Sequence, residues 1–471
     1  MESVGWLSIL PPVIAIVLAI WTKQVFISLF FGIWLGWTIL VGWNPLAGFA
    51  AALESCIRVF EDNGNTKVIA FSAMVGALIA FTQYSGGVDG FIQWILGKGL
   101  VKNRKSAGLL AFFTGTVVFV ESSITCLVTG AISRPIFDKL KISREKLAYI
   151  CDSTSAPICI MIPLNGWGAF IMGLLITQNI ERPFVVLLQS LAFNFYAIFA
   201  LATVVTVILT GRDVGPMAAA EKRARETGKV LRDGAEPVVS TEVITIAAKA
   251  NVQPRAVNMF VPIALMVGMM PISLLITGNG DIMQGSGSTS VFWAVLTAIV
   301  GGGLFYMAQG ILNLRETVDL FFKGLGGLMP LALLMMLAFA IGNTCKELGT
   351  GPYVANLSKT WLGPGLVPMI LFVVSAFIAF STGTSWGTFA IMIPIGIPIV
   401  ELMDTNLHLT IGAILSGGIF GDHCSPISDT TIISSMASAS DHIDHVRTQL
   451  PYALFAASLA VIAYLIFGLL W

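Results

Sequence analysis

The sequence predicts an all-α polytopic membrane protein built as an inverted-topology repeat, with five spans and one re-entrant hairpin in each half and broken helices at the midplane. Three observations predict this architecture: an apolar composition, two overlong apolar runs with polar centres, and two acidic segments at matching places in the two halves. Of the 471 residues, 56% are hydrophobic and 11% are charged, whereas a soluble domain is about 25% charged. The composition therefore indicates a chain that crosses a bilayer several times.

Apolar runs that reach or approach the ~20 residues needed to cross a bilayer follow one another along the whole chain. They lie at about 7–21, 25–42, 67–84, 106–133, 147–176, 184–210, 256–277, 291–312, 326–343, 366–400, 409–440 and 450–471. Most of them are simple candidates for membrane spans.

Two of the long runs combine a length beyond a simple crossing with a polar centre. Run 106–133 would extend about 42 Å as a straight helix, and it carries the polar residues 121–123 at its centre. Run 366–400 is longer still and carries the polar stretch 381–385. A polar tip between two half-length apolar arms predicts a re-entrant hairpin, because irregular backbone at membrane depth is tolerated only where it faces protein or water.

The basic residues support this interpretation. The stretches 98–105 and 134–146, which flank the first candidate hairpin, are both rich in Lys and Arg. A hairpin returns the chain to the side from which it entered, so both stretches lie inside, as the positive-inside rule prefers. The resulting topology has ten spans and two hairpins, with both termini outside.

The same topology predicts a repeat. Residues 1–210 form the first inverted repeat, 256–471 form the second, and 211–255 form a cytoplasmic linker without chemistry of its own. The amphipathic stretches 86–100 and 346–362 are predicted to be interfacial helices. Inverted repeats are typical of secondary transporters, whose sites lie at the midplane between broken helices.

Two acids lie deep in apolar runs, each in a segment that ends at a proline. These two knots are Cys151–Pro157, which contains Asp152, and Gly421–Pro426, which contains Asp422. Inserting a carboxylate at the centre of a bilayer costs roughly 2.5–3.5 kcal/mol, so such a residue usually has a functional role. Proline breaks a helix and frees backbone carbonyls, and the half-helices point their dipoles at the gap. We therefore expect two pseudo-symmetric sites, each made from one hairpin tip and one broken helix.

The candidate ion- and substrate-binding residues are the polar residues of these tips and knots. In the first half they are Glu121, Ser122, Ser123, Asp152, Ser153, Thr154, Ser155 and Asn165; in the second half they are Ser381, Thr382, Gly383, Thr384, Ser385, Asp422, His423, Ser425, Asp429 and Thr430. The candidate Na⁺ ligands are Ser123, Asp152, Thr384 and Asp422.

Each of these residues also has a purely structural interpretation. A hydroxyl in a membrane helix often bonds the carbonyl four residues earlier, and the acids can be buried polar pairs that stabilise the bundle. His423 can carry protons near neutral pH or cap the broken helix. His442 and His445 fall in the predicted inside loop 441–449, where solvation is expected.

The stretch from Phe420 to Thr431 resembles the hallmark segment of the NhaC-type Na⁺/H⁺ antiporter family. Cys151–Pro157 and Ser381–Gly387 look like other polar segments of that family. The resemblance implies the ion transporter superfamily, a multi-pass protein of the bacterial inner membrane and a homodimer. It further implies an elevator, in which a transport domain (106–210 and 366–471) moves against a scaffold domain (1–105 and 256–365).

The leading functional prediction is sodium-coupled secondary transport, most simply Na⁺/H⁺ antiport, in which Asp152, Asp422 and Glu121 bind Na⁺ and H⁺ competitively. The alternative is a Na⁺-coupled carrier of a small organic solute, an amino acid or a carboxylate. No Arg or Lys lies within the knots to pair with a carboxylate, although half-helix N-termini can serve instead. No organic cofactor is expected.

Other classes of function are disfavoured. The formal net charge is zero, so nothing indicates a nucleic-acid partner. The Gly-x-Gly-Asp motif expected of an intramembrane aspartyl protease does not precede Asp422, and HExxH and GxxxxGK[ST] motifs are absent from the sequence. The twin hairpins disfavour a channel.

Overall fold

The computed structural model describes residues 5–22, 24–97, 101, 103–119, 122–237, 248–350, 353, 363–426 and 428–470. Over these residues the chain is helical and has no β-strand beyond an isolated bridge. The helices of the first half are α1 Leu10–Thr22, α2 Val25–Leu40, α3 Pro45–Arg58, α4 Asn63–Tyr84, α5 Gly87–Gly97, α6 Arg104–Val117, α7 Ser122–Lys139, α8 Arg144–Ser153, α9 Ala156–Met161, α10 Gly166–Thr177, α11 Pro183–Leu191 and α12 Phe195–Thr210. Those of the linker and the second half are α13 Gly215–Thr227, α14 Val257–Thr277, α15 Gly287–Ala308, α16 Leu314–Gly327, α17 Met329–Glu347, α18 Val367–Thr382, α19 Ser385–Met403, α20 Leu407–Cys424, α21 Asp429–Ser438 and α22 His442–Leu470.

The helices confirm a multi-pass membrane protein. Among the described residues, 7 helices are long and apolar enough to cross a bilayer, and two bent helix pairs raise the number to 9. One bent pair, Arg144–Met161 with Gly166–Thr177, turns by 49° and corresponds to the predicted broken span of the first half. The predicted first two spans correspond to the shorter apolar helices Gly5–Leu18 and Phe26–Leu40.

Both overlong runs break at their polar centres, as the sequence predicts. The first run is interrupted between α6 and α7, and the second between α18 and α19, where Gly383 adopts φ 69°. This left-handed conformation favours glycine, and Thr384 Oγ1 then caps α19 by accepting from the Gly387 amide at 3.4 Å. In each hairpin the two arms pack against each other.

The hairpin arms are longer than the half-length arms that the sequence predicts. They contain 14 and 18 residues in the first hairpin and 16 and 19 in the second, which is roughly 21–29 Å at 1.5 Å per residue. The helices continue past the apolar runs: α7 reaches Lys139 through Pro135, and α19 reaches Met403. Re-entry from opposite faces stays a prediction.

The predicted interfacial helices have different outcomes. Stretch 86–100 contains α5, whereas most of stretch 346–362 lies outside the described residues.

Close to the second knot, α20 and α18 pack backbone to backbone. A Cβ at Gly421 would collide with the backbone of Phe380 and Ala376, so glycine permits the approach that brings the second hairpin against Asp422.

The linker is docked on the membrane helices through a buried acid. Glu221 in α13 is 2% exposed. Its carboxylate pairs with Arg104 at the base of α6 and lies 3.8 Å from Lys146 Nζ. It also accepts from the amide and hydroxyl of Ser143, both at 2.8 Å. The linker therefore ties the base of the first hairpin to the helix that carries Asp152.

Two positions within the linker, Glu236 and Lys249, are anchored to different helices. The Glu236 amide donates to Asp441 Oδ2 at 3.0 Å, next to the start of α22. The side-chain ammonium of Lys249 binds the Glu316 carboxylate of α16 at 2.7 Å. The backbone amide of Lys249 donates to the Tyr84 carbonyl at the end of α4. Both positions are therefore held by charged or backbone hydrogen bonds.

We expect Glu221→Gln to lower the free energy of unfolding by roughly 1–3 kcal/mol, because the amide removes the charge shared by Arg104 and Lys146. Denaturant or thermal unfolding of the purified protein measures this loss. Glu226→Gln is the matched control, since it makes the same charge change at an exposed position of the same helix. Equal stability of the two variants would contradict the docking described here.

Candidate functional site

Both knots lie at breaks between helices. The first knot spans the end of α8 and the start of α9, and the second spans the end of α20 and the gap before α21. The two acids, Asp152 and Asp422, are almost completely buried. Buried charges in proteins are paired or hydrogen-bonded, so the partners of each acid indicate what each can do.

Asp422 is surrounded by hydroxyl groups. Ser385, the first residue of α19, donates to Asp422 Oδ2 at 2.9 Å, and Ser428 donates to Oδ1 at 2.5 Å. Thr430 Oγ1 lies 2.9 Å from the Ser428 hydroxyl, and the Thr431 hydroxyl contacts the Asp422 carbonyl at 3.4 Å. The second hairpin tip and the second knot therefore form one oxygen-rich cluster, as predicted.

Asp152 has nitrogen partners instead. Gln449 Nε2 donates to Asp152 Oδ2 at 2.7 Å, and His445 Nε2 lies 3.3 Å from the same oxygen. Among the described residues, Asp152 Oδ1 and His445 Nδ1 have no hydrogen-bond partner. The cluster around Asp152 therefore differs in chemistry from the cluster around Asp422.

His423 connects the two knots. Its Nε2 lies 3.1 Å from the Ser153 hydroxyl, and its Nδ1 lies 2.6 Å from the Tyr196 hydroxyl. Gln449 Nε2, which binds Asp152, also donates to the His423 carbonyl. The structure thus joins into one network the two sites that the sequence predicts as a pseudo-symmetric pair.

The expectation that His442 and His445 are solvated is wrong. Residues 442–449 are not a loop but the first turns of α22. His445 is fully buried, and His442 is half-buried, with its Nε2 2.7 Å from the Pro426 carbonyl. Residues four apart share a helix face, so His445 and Gln449 both point at Asp152. Their four-residue spacing is the feature of the sequence that could have identified them as a pair. Nothing comparable marks Tyr196, an aromatic residue in an apolar run.

Asn165 ties the first hairpin tip to the first break. Its Nδ2 donates to the Phe119 carbonyl at 3.1 Å and to the Cys159 carbonyl at 2.8 Å. Its Oδ1 accepts from the amides of Trp167 and Gly168, and so caps α10. Asn165 therefore positions the tip and the helix with the same side chain.

The remaining candidates fall into three groups. Thr154, Ser155 and Thr382 each bond a carbonyl three or four residues earlier at 2.7–2.8 Å, which is the structural interpretation of such hydroxyls. Ser425 donates to the Phe380 carbonyl at 2.7 Å and so fastens the second knot to α18. In the third group, Ser122 and Ser123 lie in the first turn of α7, and Ser381 lies near the second tip. Asp429 is exposed at the start of α21, and Glu121 lies outside the described residues.

A cavity of about 240 Å³ is lined by residues of several helices. Its lining comes from α2, α4 and the junction of α16 with α17, and from the first residues of α7, α10, α19 and α21. The lining residues are Phe26, Phe71, Ser72, Val75, Ser122, Gly166, Trp167, Leu328, Pro330, Leu334, Thr384, Trp386 and Asp429. The rings of Trp167 and Trp386 lie 4.8 Å apart.

Comparison with known proteins agrees with this architecture. The YdaH transporter of Alcanivorax borkumensis has the same fold, with a TM-score of 0.59 at 13% identity over 90% of each chain. An uncharacterized protein of Haemophilus influenzae is 34% identical over 98% of this chain and 90% of its own length. The malate-2H⁺/Na⁺-lactate antiporter of Bacillus subtilis is 32% identical over 25% of this chain and 29% of its own length.

A family model described as the Na⁺/H⁺ antiporter family matches residues 170–469, well over half of the sequence. This match includes the second hairpin, the second knot and the helix that carries His445 and Gln449. The chain therefore belongs to the Na⁺/H⁺ antiporter family.

Proposed function

We propose that this secondary transporter exchanges Na⁺ for H⁺, with Na⁺ bound at Asp422 and the proton carried by Asp152. The observation that carries the proposal is the difference between the partners of the two acids. Hydroxyl oxygens surround Asp422, whereas His445 and Gln449 present nitrogen atoms to Asp152.

The Asp422 cluster has the chemistry of a Na⁺ site. A hydroxyl oxygen has two lone pairs besides its proton, so Ser385 and Ser428 can turn from donating to the carboxylate to coordinating a cation beside it. Broken helices add free carbonyls, which coordinate Na⁺ in secondary transporters. Of the predicted Na⁺ ligands, Asp422 is retained in this proposal, and Ser385 and Ser428 are added.

The Asp152 cluster suits a proton better than a metal ion. The amide nitrogen of Gln449 has no lone pair available for a cation, and it occupies Asp152 Oδ2. Asp152 Oδ1, which has no partner among the described residues, is the atom that would hold a proton. His445 Nε2 lies 3.3 Å from Oδ2 of the same carboxylate, and an imidazole nitrogen can donate or accept a proton, so His445 is placed to exchange a proton with Asp152.

An elevator mechanism is part of the proposal. The cavity is lined by residues of α2, α4 and α17 and by residues of α7, α10, α19 and α21, which the family resemblance assigns to the scaffold domain and to the transport domain respectively. A homodimer in a bacterial plasma membrane follows from the same resemblance and completes the proposal.

A second candidate function is Na⁺-coupled movement of a small organic solute. The cavity favours it, because an aromatic-lined cavity with a few polar groups is typical of sites for small molecules. The relative from Bacillus subtilis is named as an antiporter of malate and lactate. In this case Asp422 would bind the coupling ion and the cavity would hold the solute.

Replacing the two acids separates their roles. In proteoliposomes with a trapped pH dye, Asp422→Asn should abolish both Na⁺-driven proton movement and ²²Na⁺/Na⁺ exchange, because the cation loses its counter-charge. Asp152→Asn should abolish proton movement but retain ²²Na⁺ exchange. Asp404→Asn changes an exposed acid at the end of α19 and should retain both. Normal ²²Na⁺ exchange by Asp422→Asn would refute the Na⁺ assignment.

Removing a hydroxyl next to Asp422 should weaken Na⁺ binding. Ser385→Ala or Ser428→Ala removes one oxygen ligand from the bound cation, and a loss of about 1–3 kcal/mol, the range for an interaction with a buried charged group, corresponds to roughly 5–150-fold in affinity. The Na⁺ concentration for half-maximal ²²Na⁺ exchange measures this change. Ser458→Ala removes an exposed hydroxyl that bonds its own helix and should leave the affinity unchanged. Wild-type Na⁺ affinity in both cluster variants would argue against the site.

His445→Gln should slow Na⁺-driven proton movement by about 100-fold, within the range of a positioned acid or base. It should leave ²²Na⁺ exchange intact, because glutamine can donate to Asp152 but cannot titrate. His408→Gln, a histidine at the start of α20, is the control. Equal slowing of ²²Na⁺ exchange would instead assign His445 a purely structural role.

A further inference from the structure

We infer that the cavity binds a small organic zwitterion with an apolar side chain, its carboxylate facing helix N-termini and its ammonium facing Asp429. The inference deepens the proposed function, since it names the solute that the second candidate function leaves open. It depends on three features of the cavity: the helix ends that open onto it, a buried indole N–H, and a single acid.

Besides α21, whose first residue is the acid Asp429, three helices begin at the cavity. Ser122 is the first residue of α7, Gly166 is the first residue of α10, and Thr384 caps α19. These helices have 18, 12 and 19 residues, and each N-terminus carries a partial positive charge of about half an elementary charge. Among the described lining residues there is no Lys or Arg. Helix ends are therefore the source of positive potential for an anionic group.

An unsatisfied donor points to the same kind of ligand. Trp167 lines the cavity and is 2% exposed, yet its Nε1–H has no acceptor among the described residues. A buried indole N–H usually finds a hydrogen-bond partner. A carboxylate held against the start of α10, one residue before Trp167, would supply an acceptor.

Asp429 supplies negative charge to the cavity, opposite in sign to the potential of the helix N-termini. It is exposed, and it is the one acid among the described residues that line the cavity. Two indoles, Trp167 and Trp386, share this lining, with ring centroids 4.8 Å apart. An ammonium group in the cavity thus has a carboxylate to pair with, next to aromatic side chains.

Much of the remaining lining is apolar. It includes Phe26, Phe71, Val75, Leu328 and Leu334, and an apolar lining with a few polar groups is the usual composition of a small-molecule site. A solute with an aliphatic side chain would bury that side chain there. Taken together, the three surfaces select a solute with separate anionic, cationic and apolar parts.

A matched set of three compounds tests the inference on the full-length protein in nanodiscs. 2-Aminopentanoate has all three parts, butylammonium lacks the carboxylate, and pentanoate lacks the ammonium. A ligand of the folded state raises the unfolding temperature in proportion to RT ln(1 + [L]/Kd). We expect saturable stabilisation by 2-aminopentanoate, with an apparent Kd at least tenfold lower than for either fragment. Equal shifts with all three compounds, or no shift with 2-aminopentanoate, would overturn the inference.

Variants assign the two polar contacts. In Asp429→Asn, 2-aminopentanoate should bind no better than pentanoate; in Trp167→Phe, it should lose most of its advantage over butylammonium. Asp404→Asn removes a charge outside the cavity and should keep the full discrimination. Retention of wild-type discrimination by Asp429→Asn would exclude Asp429 as the ammonium partner. Each comparison is made within one variant, so altered baseline stability does not affect it.

The test is independent of the antiport assay. Loss of 2-aminopentanoate binding with intact Na⁺-driven proton movement would overturn the zwitterion inference alone. Binding of 2-aminopentanoate by a protein that moves no protons in response to Na⁺ would overturn antiport and leave the solute site standing.

Discussion

The structure depends on the need to satisfy two carboxylates that lie far from water. Neither Asp152 nor Asp422 can be left unpaired in an apolar surrounding without a large cost, and an intact helix offers no spare groups to pair with them. The chain meets this need by ending α8 and α20 next to the acids and by bringing other segments to the gaps. The second hairpin brings Ser385 to Asp422, and α22 brings His445 and Gln449 to Asp152.

This constraint explains why one part of the site was predictable and another was not. Local features of the sequence determine where the helices break: Gly383 turns the second hairpin, and prolines follow both acids. Of the two hydroxyls on the Asp422 carboxylate, Ser428 is local because it follows closely in the chain, whereas Ser385 arrives with the second hairpin. Local features of the sequence therefore predict the helix breaks and part of the oxygen-rich cluster.

The partners of Asp152 come from tertiary contacts. His445 and Gln449 lie almost 300 residues further along the chain than Asp152. They fall in the stretch 441–449 that the sequence predicts as a loop, so their burial depends on where α22 begins and how it packs on α8. The same holds for Tyr196, which reaches His423 from α12, and for Glu221, whose burial in a polar linker no local pattern signals. The lengths of the hairpin arms were mispredicted for a related reason: helices continue wherever packing supports them, and apolar runs do not limit them.

The anchoring of the linker has a consequence for observing motion. Glu236 is fixed beside the start of α22, and Lys249 is fixed to α4 and α16. If α22 moves relative to α4 and α16 during each transport cycle, the distance between Glu236 and Lys249 changes and then returns to its starting value. A pair of spectroscopic labels at the exposed positions 236 and 250 would then measure this displacement while keeping the Lys249 anchor and every residue of the two acid clusters.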